Sequence, residues 1–225
     1  IGLKHGSGGR AMRQLIEEVF LPLGGPVDGV GLAALDDGAA LRLGDQWLVV
    51  TTDSHVVQPA FFPGGDIGRL AVCGTVNDLA VSGAEPLFLT AGFVIEEGFP
   101  LVDLKKIIFS MSEAATRAGV KIVAGDTKVV NRGKGDGIFI NTSGIGVLRE
   151  RIEISPLKIR HGDRVIISGE IGSHGVAIIA ERNGLTFTPP VLSDTRPLNG
   201  MVSAMFNVTE EIRFMRDPTR GGLAT

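Results

Sequence analysis

Acidic residues at several separate positions of the chain could together hold a metal ion. Asp36, Asp37 and Asp53 fall at the open end of a predicted β-hairpin, and Asp78 lies inside a largely apolar helical segment. Like charges about 4 Å apart repel by ~4 kcal/mol at an effective dielectric constant of about 20, unless a cation offsets the repulsion. Oxygen-only ligands favour a hard ion such as Mg²⁺ or Mn²⁺. These carboxylates predict a divalent-cation site, with Asp126 as a further candidate.

The hairpin is predicted from two strand-like segments, 39–43 and 46–52, which a two-residue Gly-Asp turn separates. Such a turn sets the register, so the last residue of the first segment should face the first residue of the second. Counting outward from the turn places Asp37 opposite Thr52. The register therefore brings acidic side chains of the two strands together.

The segment 64–86 is predicted to form one helix around which the chain is organised. Asp66 is a good N-cap, because its carboxylate can accept bonds from the free amides of the first turn. Gly83 can adopt the left-handed conformation that ends a helix, and Pro86 prevents continuation. Asp78 sits inside this helix and needs a partner or a cation if it is buried. The alternative is an exposed aspartate on a polar stripe.

A short buried strand is predicted over 120–124, and Gly125-Asp126-Thr127-Lys128 follows its carboxyl end. Ligand sites favour such edges in α/β sheets. An Asx turn that closes a loop explains Asp126 equally well.

Composition excludes several classes of function. The chain has 225 residues, is 44% hydrophobic and carries a net charge of -3, which gives no reason to expect a nucleic-acid partner or an anionic membrane surface. No apolar run reaches the ~18 residues that span a bilayer, and no secretion signal is visible. A single cysteine excludes an internal disulfide, which fits a cytoplasmic location.

The remaining elements indicate two domains, 1–150 and 151–225, with the boundary in a charged, proline-containing segment. The second unit is shorter than the ~100–150 residues of a usual domain, so we expect that a C-terminal portion is missing from this sequence. Its glycine-rich turn, GEIGSHG, is a weak phosphate-binding signal. Further predicted elements are helices over 10–20 and 101–118, strands over 87–95, 138–147 and 163–168, a helix ending at Asn183, a proline-rich loop over 185–199, and a partly helical segment over 201–214.

Several motifs along the whole chain resemble one protein family. The segments KHGSGG, DDGAAL, TTDSHVV, FPGGDIGRLAVCGTVNDLAVSGAEP, AGDTKVV and MRDPTRGGLAT resemble the hydrogenase expression/formation (HypE) family. This family belongs to the superfamily of aminoimidazole ribonucleotide synthetase, selenophosphate synthetase and thiamine-monophosphate kinase. The resemblance implies an α/β (α+β) fold of that type. An N-terminal mixed-sheet domain would form a barrel across a homodimer, and an incomplete C-terminal α/β domain would follow.

The resemblance also implies Mg-ATP as cofactor and assigns roles to the acidic motifs. By position, the family's metal ligands fall on Asp37, Thr52, Asp53, Asp78 and Asp126. Lys128 becomes the candidate catalytic residue, as a group that orients phosphate or transfers a proton; its alternative is a solvated lysine. The nucleotide-binding residues implied are Lys4, Gly8, Gly9, Asp53, Asn77, Asp78, Gly125, Asp126 and Thr127, although the glycine-rich arm by itself is more typical of a flexible terminus.

The family's activity is implied with it. Members take part in making the cyanide ligands of [NiFe] hydrogenase, by ATP-dependent dehydration of a carbamoyl group on a C-terminal cysteine to a thiocyanate. A carbamoyltransferase loads that cysteine, and an iron-carrying scaffold accepts the cyanide. This sequence lacks a C-terminal cysteine, and its single thiol, Cys73, is expected to be an inert residue of an apolar helix.

Two other classes of function stay open. One is another ATP enzyme of the superfamily, such as thiamine-monophosphate kinase; the selenophosphate synthetase type would need a cysteine or selenocysteine in the N-terminal arm, which has neither. The other is a non-catalytic scaffold for maturation proteins. His55 is expected to be structural, and Arg220 either binds phosphate or begins a surface helix.

Overall fold

A mixed six-stranded β-sheet organises the first two thirds of the molecule. The computed structural model describes residues 1–148, 154–219 and Gly222, so the predicted boundary between domains falls outside the described residues. The strands lie in the order β1-β2-β3-β8-β6-β7, and every neighbouring pair is antiparallel except β6–β7. The strands of this sheet are β1 (Gly29–Val30), β2 (Ala39–Leu43), β3 (Gln46–His55), β6 (Ala84–Glu96), β7 (Lys121–Val130) and β8 (Ile138–Leu148), while β4 (Phe61–Phe62) and β5 (Gly65–Asp66) form a separate pair.

Two helices cover one face of the sheet. The helix α2 (Ile67–Val81) packs on β3, β6 and β8, and α3 (Leu101–Ala118) packs on α2. Asp66 caps α2 as predicted, since its carboxylate accepts bonds from the amides of Gly68 and Arg69 at 2.7 and 2.9 Å. The helix α3 has the predicted bounds. Their shared core is apolar and includes the fully buried Ile67, Val72, Val76, Leu89, Ile107 and Ile140.

The strand β7 differs from its prediction. The apolar run 120–124 predicts a short buried strand, but β7 extends to Val130 and most of its residues are exposed. It lies at the edge of the sheet and pairs only with β6, in the part of the chain that the structure describes. Hydrophobic composition alone does not distinguish an edge strand from a central one, so the prediction of burial was wrong.

The second unit contains α4 (Ser173–Asn183), α5 (Asn199–Val208) and a 3-10 turn (Pro156–Lys158). The strand predicted over 163–168 does not form. A strand needs a neighbour to pair its backbone groups, and Val165 and Ile166 are 89% and 81% exposed. At the other end of the chain, α1 (Arg10–Leu15) continues as a π-helix (Ile16–Phe20), which together cover the predicted helix.

No helix among the described residues is both long and apolar enough to cross a lipid bilayer.

Candidate functional site

Asp37, Asp53 and Asp78 approach one another where the hairpin β2–β3 meets helix α2. The hairpin has the predicted register, with its ladder running from the turn to the pair Ala39–Val50. The hydroxyl of Thr51 donates to the carbonyl of Asp37 at 2.7 Å and lies 3.4 Å from Oδ2 of Asp78. A single side chain thus links the segment before β2 to the helix, and the negative charges of Asp53 and Asp37 act on Asp78.

The structure adds a fourth carboxylate, Asp217, from the second unit. Its amide donates to Oδ2 of Asp37 at 3.3 Å, and its own Oδ1 accepts from Thr219 at 2.5 Å. The neighbouring Arg216 lies 3.7 Å from carboxylate oxygens of both Asp36 and Asp37. This contribution is not predictable from the sequence, because nothing local indicates that a segment some 180 residues away folds against the hairpin. The only available signal was the motif MRDPTRGG.

Burial, together with neighbouring negative charges, raises the pKa values of Asp78, Asp37 and Asp217. Burial is the main cause for Asp78, and the negative charges of Asp53, Asp37 and Asp217 add to it, so its pKa rises from 3.8 to about 8. Burial also raises the pKa of Asp37, although the Arg216 guanidinium opposes the shift. The pKa of Asp217 is raised mainly by burial as well. The cluster therefore resists full ionisation and would be stabilised by an added positive charge.

The oxygen ligands of the cluster suit a hard divalent cation chemically, but they are not already arranged as a complete metal site. Carboxylate and hydroxyl oxygens are the ligands that Mg²⁺ prefers. Within the described ranges, no three acidic, histidine or cysteine side chains already form a metal-holding group. This is compatible with Mg²⁺, which usually keeps several waters and is held by one or two carboxylates together with substrate phosphates.

Asp126 and Thr52 face the other side of the sheet. Paired residues of neighbouring strands share a face, and faces alternate along each strand. Asp53 pairs with Thr142, whose side chain is buried under α2. Asp126 lies instead in the adjacent row of residues paired across the strands, together with Ser54 and Asn141, and this row points to the opposite face. Three strand spacings, roughly 14 Å, separate Ser54 from Asp126. Within one chain, the structure does not bring Asp126 to the other carboxylates.

Asp126 instead lines a cavity with Lys128. The cavity has a volume of about 330 Å³ and lies across β3, β8, β6 and β7. Asp126 and Lys128 are two residues apart on β7 and therefore point to the same face. Polar side chains of Ser54 and Asn141 line the cavity beside Phe139. Thr52 is on the same face, where its hydroxyl accepts from Ser143 at 3.0 Å.

Asn77, a predicted nucleotide-binding residue, joins α2 to the segment that precedes α5. Its side-chain amide donates to the carbonyl of Arg196 at 3.1 Å, and its oxygen accepts from the amide of Leu198 at 2.8 Å. The side chain is 7% exposed. Both polar atoms are therefore engaged in fixing the segment before α5 next to Asp78.

The other predicted nucleotide-binding residues lie apart from the carboxylates. Gly125 is in β7, where a Cβ would come within 2.6 Å of the carbonyl of Ala91, so glycine permits close pairing of the strands. Thr127 follows in the same exposed strand. In the N-terminal arm, Lys4 is exposed in a 3-10 turn, and Gly8 and Gly9 immediately precede α1. Arg220 lies outside the described residues.

Cys73 is unsuited to nucleophilic chemistry. It is 1% exposed, and burial raises the pKa of its thiol to about 11. Since the thiolate is the reactive form, this cysteine is a packing residue of α2, as the apolar helix predicts.

Comparisons with known proteins give a consistent result. The family model "AIR synthase related protein, N-terminal domain" matches residues 35–148. "Carbamoyl dehydratase HypE" of Azotobacter vinelandii is 52% identical over 99% of this chain. A crystal structure of a HypE–HypF complex matches at 56% identity with a TM-score of 0.84, covering 93% of this chain and 67% of that one. A HypE structure in complex with ATP matches at 47% identity with a TM-score of 0.77, covering 98% of this chain and 65% of that one.

The chain spans 64% of the length of the Azotobacter vinelandii relative. The similarity therefore extends over almost all of this chain and over about two thirds of the proteins it matches.

Proposed function

The chain belongs to the HypE family of AIR-synthase-related proteins, and from this premise we propose that it serves the ATP-dependent dehydration of a carbamoyl group to a thiocyanate in [NiFe] hydrogenase maturation. The observation that carries the proposal is the convergence of Asp37, Asp53, Asp78 and Asp217 in a chain of this family. Loss of water from an S-carboxamide leaves an S-cyano group. The thiocyanate would supply the cyanide ligands of the active-site iron.

The carboxylate cluster would hold Mg²⁺ with the phosphates of ATP. Bound there, the cation would neutralise phosphate charge and orient the phosphoryl group for transfer to the carboxamide oxygen. Asp78 and Asp53 would supply carboxylate oxygens as ligands, from the helix and from β3 respectively. Thr51 holds Asp37 in place through its carbonyl, and Asp217 brings the second unit to the same point.

The cavity on the opposite face is the second functional surface. Lys128 supplies a positive charge beside Asp126, and Asn141 and Ser54 supply further polar groups. We assign Lys128 to phosphate orientation or proton transfer. The roles proposed for Thr52 and Asp126 belong to this surface and not to the carboxylate cluster within one chain, whereas Thr127, between Asp126 and Lys128 in β7, points to the other face of the sheet. Contacts from Lys4, Gly8 and Gly9 to the nucleotide are proposed on the resemblance alone.

A homodimer would cover the same face of the sheet. Apolar side chains on it are open to solvent in a single chain, among them Phe88, Val94 and Ile145, which are 36–41% exposed. Burying such a face drives association. A second copy would also place its own polar groups beside the cavity of the first.

The proposed partners follow from the chemistry. The HypE–HypF complex concerns a relative; for this chain we propose that a carbamoyltransferase loads an acceptor cysteine. Cys73 is too buried for that role, so the acceptor belongs to a part of the protein outside these residues. An iron-carrying scaffold would accept the cyanide, and the cytoplasm would be the site of the reaction.

Two measurements test the proposal. Calorimetry should show ATP binding that depends on Mg²⁺ and is lost in Asp78→Asn, whereas Asp28→Asn, at an exposed site, should bind normally. Protein that carries a carbamoylated acceptor cysteine should then release phosphate and lose one water in mass when Mg-ATP is added. Phosphoryl transfer to thiamine monophosphate without that mass change would favour a kinase of the superfamily. Nucleotide binding that is indifferent to Mg²⁺ and to Asp78 would contradict the proposal and favour a scaffold.

A further inference from the structure

His55 ends β3 beside Asp53, and its side chain is 8% exposed. We propose that His55 is a positioning residue, which fixes the carboxylate of Asp53 in the orientation that receives the divalent cation. The inference rests on the proposed function, in which Asp53 contacts that cation. From the sequence alone, the side chain of His55 is expected to be only structural.

Thr142 connects His55 to helix α2 through buried hydrogen bonds. Its hydroxyl lies 3.3 Å from Nε2 of His55, donates to the carbonyl of Ala71 at 3.1 Å, and lies 2.5 Å from the hydroxyl of Thr75. A hydroxyl has one proton to donate. Because Thr142 donates that proton to Ala71, Nε2 of His55 must carry a proton and donate it to Thr142. The network therefore assigns the tautomer of His55 and fixes the plane of its ring.

The fixed imidazole forms one wall beside Asp53. Nε2 of His55 lies 3.9 Å from Oδ2 of Asp53. This distance is too long for a hydrogen bond, but it places the ring edge that carries Nε2 beside the carboxylate. The side chain of Asp53 is 23% exposed, so the carboxylate keeps one open side.

Gly74 of α2 forms the second wall. A Cβ at this position would lie 3.0 Å from Cε1 of His55 and 3.1 Å from Oδ2 of Asp53. Both distances are tighter than ordinary carbon contacts, so only glycine leaves the imidazole and the carboxylate their present places. The helix and the imidazole thus bound the carboxylate of Asp53 on two sides.

This arrangement lets a cation bind without first ordering the carboxylate. Groups that orient metal ligands from outside the coordination sphere change metal affinity by about 10–100-fold when they are removed. His55 would act in this way through contact with Asp53, while its hydrogen bond stays with Thr142.

The experiment measures Mn²⁺ affinity by electron paramagnetic resonance, with a non-hydrolysable ATP analogue present. Wild type, His55→Phe and His55→Gln are compared, and thermal unfolding in EDTA reports whether each variant is folded. We expect His55→Phe to weaken Mn²⁺ binding at least about tenfold. His55→Gln keeps an N–H donor that can reach Thr142, so it should recover most of the affinity.

Folded His55→Phe that binds Mn²⁺ like wild type would overturn the inference, as would equal losses in both variants. Wild type that binds no Mn²⁺ would instead refute the proposed function, and this inference with it. Should His55→Phe fail to fold, Gly74→Ala tests the contact between His55 and Asp53 from the helix side, because the added Cβ would press on both side chains. Gly200→Ala is the control, because a Cβ at Gly200 meets nothing within 4 Å. Weaker Mn²⁺ binding in Gly74→Ala alone supports the inference, and unchanged binding overturns it.

Discussion

Replacing Asp78 by asparagine should stabilise the metal-free protein while it removes the cation site. Asparagine keeps the shape and hydrogen-bonding capacity of a protonated aspartate but cannot ionise. The pKa of Asp78 is raised to about 8 in the folded chain, against 3.8 as its ordinary value. The unfolded state therefore loses its proton at low pH, whereas the folded state retains it until near pH 8.

The sign and size of the effect follow from this difference. A carboxyl group whose folded-state pKa is raised contributes its full stability below its ordinary pKa, and that contribution is lost as pH rises through the folded-state pKa. At about 1.36 kcal/mol per pH unit, the loss reaches ~4 kcal/mol at pH 7, of which about 2.7 kcal/mol accrues between about pH 5 and pH 7. Asp78→Asn removes this dependence, since asparagine has no proton to lose.

The assay is urea unfolding in EDTA at several pH values between about 5 and 8. The variant should gain stability over wild type, and the gain should grow with pH at close to the stated slope. Asp28→Asn, which replaces an exposed aspartate, should show no growing gain. A stability difference between Asp78→Asn and wild type that stays flat across this range would refute the claim that burial and neighbouring carboxylates hold the proton on Asp78.

Three further changes test the packing and the loops. Asn77→Ala should lower the free energy of unfolding by about 2–3 kcal/mol, because it leaves a buried amide and a carbonyl before α5 unpaired. Urea unfolding measures this loss, and a loss below ~0.5 kcal/mol would contradict the role of Asn77 in fixing the segment before α5. Gly68→Ala would bring a Cβ within 2.5 Å of the carbonyl of Ile107 and should cost ~2–3 kcal/mol, whereas Gly200→Ala should change stability by no more than about 1 kcal/mol; equal effects would refute the tight α2–α3 contact. The carboxylate of Glu96 accepts hydrogen bonds from backbone amides of the loop after β7, and these bonds lower its pKa below 4.5. Its contribution to loop order is therefore present above pH 4.5 and is lost on acidification through the lowered pKa. The NMR shifts of the loop amides should titrate in acid in wild type, and persistence of that titration in Glu96→Gln would count against the contact.

Local sequence signals were sufficient to predict the helix and the hairpin that carry most of the carboxylates. The cap at Asp66 and the left-handed Gly83 delimit α2 by chemistry within a few residues of each end. The two-residue turn fixes the register of the hairpin, and with it the approach of Asp37 to Asp53. Apolar periodicity, together with Gly119 as the terminating residue, gave the bounds of α3.

Long-range pairing decided what the sequence could not predict. Asp217 joins the cluster only because the second unit folds back on the hairpin, and the amide of Asn77 serves the same junction. The position of β7 at the sheet edge depends on strand order, which no local pattern specifies. The face of Asp126 depends on register across three strands, where a shift of one residue exchanges the two faces.

The carboxylate cluster draws on both units, since Asp217 reaches it from the second and the other three members belong to the first. Thermodynamic reciprocity then applies: whatever affinity a cation gains from Asp217, the junction between the units gains by the same factor when the cation binds. Binding of Mg²⁺ would therefore stabilise the contact between the two parts of the chain, and a weaker contact would lower the affinity for the ion. The same residue would thus set both the grip on the nucleotide and the mutual orientation of the two halves of the molecule.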